Sequence, residues 1–237
     1  MRGSERRVDA LTRERIVEVA IELLDSQGEN GLTFRALATR LETGHGAIQW
    51  HVENKSELLR AATAVAVARA VEESDPDAPP REAIHAAALG VFEAIDAHPW
   101  IGDQLARPPW QAAMLQIFER IGRQVQALGG PAAAHFTSTS ALLHYIIGAA
   151  TQNAVNSRSP AAFGDQQDFL DRISAQWAEL DAEQYAFTRT VAGQLRAYDD
   201  HAEFLAGIDL ILAGMTAGST TDSPAARISP QRRSPHS

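Results

Sequence analysis

The sequence predicts an all-α protein: a small N-terminal unit of three helices, then a long helix leading into a larger helical bundle. Three observations carry this. Apolar residues recur at helical spacing through almost every segment. Strand-type alternation is nearly absent, while alanine, the strongest helix former, is abundant. Turn signals such as Pro108-Pro109, Gly129-Gly130-Pro131 and Ser157-Arg158-Ser159-Pro160 separate several of the helical stretches.

The first helix follows Thr12, a plausible N-cap, with Glu14 in its first turn. Ile16, Val19, Ala20, Leu23 and Leu24 line one face, and Gly28 should end it. Asn30-Gly31 signals a turn. Thr33 then caps a short helix carrying Phe34, Leu37, Ala38 and Leu41 on one side. Thr43-Gly44-His45-Gly46 breaks the chain before a very short apolar piece, Ala47 to Val52. Asn54, with Glu57 three residues on, has the form of a capping box opening a fourth helix. That helix should turn Leu58, Leu59, Ala62, Val65 and Ala66 inward and run past Arg69. The acidic, proline-rich stretch from Glu73 to Pro80 reads as a linker. Further helices are expected at 81–97, 100–106, 110–128, 131–156, 165–179, 182–197 and 199–216. This suggests a unit over 1–65, a second over 66–217, and a disordered tail over 218–237, where apolar periodicity stops.

Composition narrows the function. Of 237 residues, 45% are hydrophobic and 22% charged, enough for a sizeable core. No run approaches a membrane span. Met1 to Arg7 lacks the apolar stretch of a secretory leader, so a cytoplasmic location is expected. The absence of cysteine excludes disulfides, thiolate metal sites and cysteine nucleophiles. Residues 1–65 hold 9 basic and 10 acidic residues; the remainder holds 12 and 20, so the net charge of −9 sits mainly in the second unit. A protein that coats nucleic acid everywhere is excluded by that balance.

No catalytic signature is present. The chain lacks His-Glu-x-x-His, a P-loop and Gly-x-Gly-x-x-Gly, and its eight histidines never fall four apart. No enzyme activity, metal or cofactor is expected. Three helices with a tight turn before the third instead describe a helix-turn-helix unit. Ile48 and Val52 can anchor the third helix, leaving His45, Gly46, Ala47, Gln49, Trp50 and His51 available outside. A small linking helix in a bundle is the alternative, with Trp50 half-buried.

Leu32 to Ala38 together with Ala47 to Leu59, above all Trp50-His51-Val52-x-Asn54-Lys55-x-x-Leu58-Leu59, resemble the DNA-binding domain of the tetracycline-repressor (TetR) family. The resemblance implies a homodimer that binds double-stranded operator DNA and responds to a small-molecule effector, most simply as a repressor. An activator of the same fold, or a helical carrier or enzyme with a vestigial helix-turn-helix, stays open. By the same resemblance Thr33 offers its hydroxyl and N–H to a phosphate, Arg35 reaches bases or phosphates, Lys55 meets a phosphate, and Trp50 and His51 abut the sugar-phosphate backbone. Gly44 would cap the recognition helix. Where the family commonly has Gly-Val-Ser, this chain has Glu42-Thr43-Gly44, and Gln49 replaces a tyrosine; Gln can pair with adenine. The Arg2, Arg6 and Arg7 cluster could act as a minor-groove arm or be a solvated terminus.

Residues 140–155 and 203–214 resemble the family's two dimerisation helices. Leu142, Leu143, Ile146, Ile147, Ala150 and Val155 would present one apolar surface, and Phe204, Ile208, Ile211 and Leu212 another. Their alternative role is to fill the monomer core. Between the middle helices the resemblance implies an effector pocket, for which Trp100, Trp110, Met114 and Phe118 are the apolar candidates and His144, Tyr145 and Gln152 the polar ones. Arg107-Pro108 resembles a turn bordering the family's ligand site. Asp103 stands where a metal-binding histidine would sit, so no metal is assigned.

Overall fold

A computed structural model describes residues 11–72, 75, 77–107, 112–158 and 166–217. The helices are α1 (Arg13–Gly31), α2 (Phe34–Arg40), α3 (His45–Gln49), α4 (Lys55–Glu72), α5 (Pro80–Ala97) and α6 (Trp100–Leu105). They continue with α7 (Ala112–Ala127), α8 (Ala132–Ser157), α9 (Gln166–Ala178), α10 (Ala186–Val191), a 3-10 helix (Ala192–Ala197) and α11 (Asp200–Ala217). No strand occurs among the described residues, and none of their helices is long and apolar enough to cross a membrane.

The predicted caps form. Thr12 Oγ1 accepts from Arg15 N at 3.2 Å, and Thr33 Oγ1 from Ala36 N at 3.1 Å. Gly28 adopts φ 66 and interrupts α1, although one further turn follows to Gly31. Asn54 Oδ1 caps α4 through Glu57 N at 2.9 Å. The reciprocal half of the box is displaced by one residue: Glu57 Oε2 accepts from Glu53 N at 2.7 Å. On α4, Leu58, Leu59, Ala62 and Ala66 are buried as expected and Val65 is half-buried.

α2 leans on α1 and α3 on α2, and α4 runs from this small unit into the bundle, packing on α1, α5, α6 and α7. α5, α7 and α8 form the bundle's centre, and α11 lies along α8. One continuous apolar core extends from Ile16 and Leu24 through Leu58 and Ile84 to Ile146 and Ile208. The two units therefore share an interior instead of meeting through a wet linker. α9, α10 and the 3-10 helix pack mainly on one another as a satellite.

Two expectations need correction. Residues 182–197 are not one helix. Asp181 Oδ1 accepts from the N–H groups of Glu183 and Gln184 at 3.1 and 2.8 Å, which offers this backbone a turn in place of a helix. A short α10 follows and then tightens into the 3-10 segment. Most of the apolar surfaces predicted for α8 and α11 also face inward; Val155 stays outside and Ile147 and Ile211 are half-buried. Leu142, Leu143, Ile146, Ala150, Phe204, Ile208 and Leu212 are buried within one chain. The outward face holds Val155 and Leu210, 63% and 75% exposed, with Gly148 and Gly214, beside which a Cβ would meet nothing. Both helices are apolar nearly all round, so periodicity alone does not say which side is the core. The Arg2 cluster and the 218–237 tail lie outside the described residues.

Candidate nucleic-acid interface

The short α3 is held by one inward residue and its flank. Ile48 is fully buried, and Val52 just beyond is 1% exposed. Every other α3 residue (His45, Gly46, Ala47 and Gln49) is exposed, as is Gly44 at its N-cap. Trp50 is 88% exposed, which removes the packing alternative for it. Its indole is therefore free to meet a partner. His51 is half-buried.

α2 lies alongside. The ring of Phe34 packs against that of His45 with centroids 5.1 Å apart, joining the two helices. Thr33 and Arg35 are exposed at the start of α2, and the Arg35 side chain makes no ion pair among the described residues. The turn between α2 and α3 contains Glu42 at φ 50. A left-handed glutamate carries strain that a glycine would not. Gly44 and Gly46 have open space where a Cβ would stand, so internal packing does not require glycine at either position. Their effect is to leave the outer surface of α3 low and accessible.

Lys55 opens α4 and is half-buried. Its Nζ donates to the main-chain carbonyl of Glu29 near the end of α1. The start of α4 is secured independently. Glu57 Oε1 accepts from Arg13 Nη2 at 3.0 Å while its other oxygen takes Glu53 N. The Glu53 N–H, then the Arg13 guanidinium, hold the Glu57 carboxyl below its usual value of 4.5.

The effector candidates among the described residues turn in different directions. Trp100 is 7% exposed, and its Nε1–H donates to Asp25 Oδ1 on α1 at 2.8 Å. Arg107 pairs with Glu29, also on α1. Tyr145 stacks on Phe204, donates its hydroxyl to the Phe204 carbonyl at 3.1 Å, and fills the space beside Gly207. Burial raises the Tyr145 pKa above its usual 10.0, with Glu203 adding to it. Met114 and Phe118 are partly buried against the core, and Phe118 meets Phe136 at 5.8 Å. Asp103, His144 and Gln152 are exposed. Trp110 lies outside the described residues. A cleft of about 210 Å³ opens elsewhere, between α1, α4 and α5, lined by Ile21, Arg69, Glu93 and His98 among others. Among the described residues no cluster of carboxylates and histidines could hold a metal.

Asp25 and Glu29 escaped the sequence reading. One signal was available: both are acidic residues near a helix C-terminus, where the dipole disfavours anions, and no basic residue stands in that last turn.

Residues 16–62 match the model for bacterial regulatory proteins of the tetR family, and residues 75–218 match the tetracyclin repressor-like C-terminal domain. The chain is 52% identical to the transcriptional regulator SCO7222, a TetR from Streptomyces coelicolor, over 89% of this chain and 100% of that one, with a TM-score of 0.80. It is 28% identical over 212 residues to an HTH-type transcriptional regulator of Saccharopolyspora erythraea, covering 87% of this chain and 85% of the relative. It also resembles ActR, a TetR family protein of Streptomyces coelicolor solved in complex with (S)-DNPA, at 25% identity and a TM-score of 0.70, over 89% of this chain and 99% of that one. With a helix-turn-helix at its N-terminus and a helical second half matched over most of its length, the chain belongs to the tetR family of bacterial transcriptional regulators.

Proposed function

We propose that this regulator is a homodimeric repressor that binds operator DNA through the outer face of α3 and is released by a small-molecule effector. The observation that carries the DNA contact is the exposure of α3: Ile48 alone among its residues points inward, and Trp50 beside it stands in water. An α-helix with such a free face fits the major groove. In this reading Gln49 and Arg35 meet base edges. Thr33, Trp50, His51 and Lys55 meet the backbone, and Gly44, His45, Gly46 and Ala47 let it approach. The outward faces of α8 and α11, with Val155, Leu210 and two open glycines, supply the surface for a second copy. Two copies would present two α3 helices to half-sites about 34–36 Å apart.

Effector response is supported by the shared core and by the likeness to ActR, solved in complex with (S)-DNPA. Apolar chemistry suits the middle helices, where Met114 and Phe118 stand half-buried. The effector must prefer the state that does not bind DNA, and operator and effector then weaken each other equally.

The test is fluorescence anisotropy of the purified protein on DNA from upstream of its own gene, across a salt series. Sequence-dependent binding whose log K falls by about 0.9 per neutralised phosphate is expected. Equal affinity for upstream and scrambled DNA, followed by no enrichment from random DNA, would reject the reading.

A further inference from the structure

The end of α1 is gripped from the other half of the molecule. Asp25 Oδ1 accepts from Trp100 Nε1–H at 2.8 Å and lies 2.7 Å from His98 Nδ1. Glu29 Oε2 accepts from Gln104 Nε2 at 3.2 Å and from Arg107 Nη2. All four partners come from one segment, His98 to Arg107, built around α6. That helix is wedged in place: only Asp103 among its six residues is exposed. It lies so near α8 that a Cβ on Gly102 would stand 2.7 Å from Thr151 Oγ1.

Glu29 also meets the start of α4. Its carbonyl, just past the break at Gly28, accepts from Lys55 Nζ. An ammonium has three donor hydrogens, so one bond to a fixed carbonyl leaves two and restricts where they point. The same residue is therefore held by its side chain from α6 and holds, by its main chain, the cation at the start of α4.

We propose that Glu29 is the positioning residue for Lys55, and that the His98–Arg107 segment tunes operator affinity through it, by way of α1. The proposal rests on the operator-binding reading above. Gripping the Glu29 carboxylate fixes the last turn of α1; that turn fixes the carbonyl; the carbonyl fixes the ammonium against a phosphate. A shift of α6 loosens the three in that order.

The test is a double-mutant cycle in operator affinity on the full chain, across a salt series and without effector. Lys55→Ala should lower the slope of log K against log salt by about 0.9. Arg107→Ala should weaken binding about threefold, the scale of one partly exposed ion pair, and lower the same slope. In the Lys55→Ala background it should do nothing further. Glu29→Gln, which keeps the shape but removes the charge Arg107 holds, should repeat the effect, and Arg107→Lys should restore most of it. Unfolding midpoints check that each variant folds. Additive losses, or no loss from either Arg107→Ala or Glu29→Gln, would overturn the proposal while leaving operator binding intact. No effect of Lys55→Ala on affinity or slope would remove the phosphate contact and the proposal together.

Discussion

α3 and α6 are both helices of about one and a half turns, five and six residues long, yet they are built as opposites. In α3 only Ile48 is buried; in α6 only Asp103 is exposed. Each has a tryptophan at one end. Trp50 stands in water, while Trp100 is enclosed and its indole N–H is taken by Asp25. Neither helix is stable from its own hydrogen bonds at such a length. α6 exists because its surroundings enclose it. α3 exists because Ile48 and Val52 pin it and His45 packs on Phe34, while Gly46, Ala47 and Gln49 stay free. Short helices in this fold therefore divide into one that is enclosed and one that is left free.

The two tryptophans give the widest contrast. Trp100→Ala is expected to lower unfolding stability by about 3–5 kcal/mol, through the lost ring and its lost hydrogen bond to Asp25. Trp50→Ala should change stability by no more than about 0.5 kcal/mol while weakening operator binding about tenfold. Denaturant melts and anisotropy on the same two proteins measure both. Comparable stability losses would erase the distinction between the helices.

Glycines sharpen the contrast with opposite signs. In Gly102→Ala the new Cβ meets the β-branched Thr151, and about 1–3 kcal/mol of overpacking is expected. In Gly46→Ala the Cβ meets nothing, and helix propensity should raise stability by about 0.5–1 kcal/mol. The same methyl should reduce operator affinity. A Gly46→Ala protein that is both more stable and equally tight on DNA would mean the space beside α3 is unused.

A comparably small effect concerns the cap that joins α1 to α4. Glu57→Gln should cost about 1 kcal/mol, measured by thermal unfolding near neutral pH. Because the Glu57 carboxyl is held below its usual 4.5, its contribution is complete above that value and fades as pH falls through the folded pKa. The gap between wild type and Glu57→Gln should accordingly narrow in acid. A constant gap from neutral pH to pH 3 would show that the carboxylate charge is not what the cap uses.

Much of this molecule was legible in its residues, for identifiable reasons. Thr12, Thr33 and Asn54 cap the helices they precede, since a side-chain oxygen there has free N–H groups to meet. The buried face of α1 followed from its spacing because the opposite face is charged. The exposed surface of α3 was legible because Ile48 and Val52 are too few to bury their neighbours. Elsewhere the signals failed. α8 and α11 carry apolar residues on more than one side, so most residues expected on an outer face turned inward, Val155 excepted. Asp181 drew residues 182–185 into a turn that helical periodicity does not encode. The effector candidates share composition but not direction: Trp100 and Arg107 turn to α1, and Tyr145 to α11. The grip on Asp25 and Glu29 spans about 75 residues of sequence, beyond the reach of any local pattern.

The outer face of α3 as a reader of sequence is the central claim. The most direct measurement takes DNA enriched from a random pool by the wild-type protein and compares it with scrambled DNA, for wild type and Gln49→Ala, over a salt series. The account predicts a clear preference in wild type. Gln49→Ala should relax that preference at one base pair by about 1–3 kcal/mol, with an unchanged salt slope. A wild-type protein that binds enriched and scrambled DNA equally, or a Gln49→Ala protein that weakens uniformly on every sequence, would contradict it.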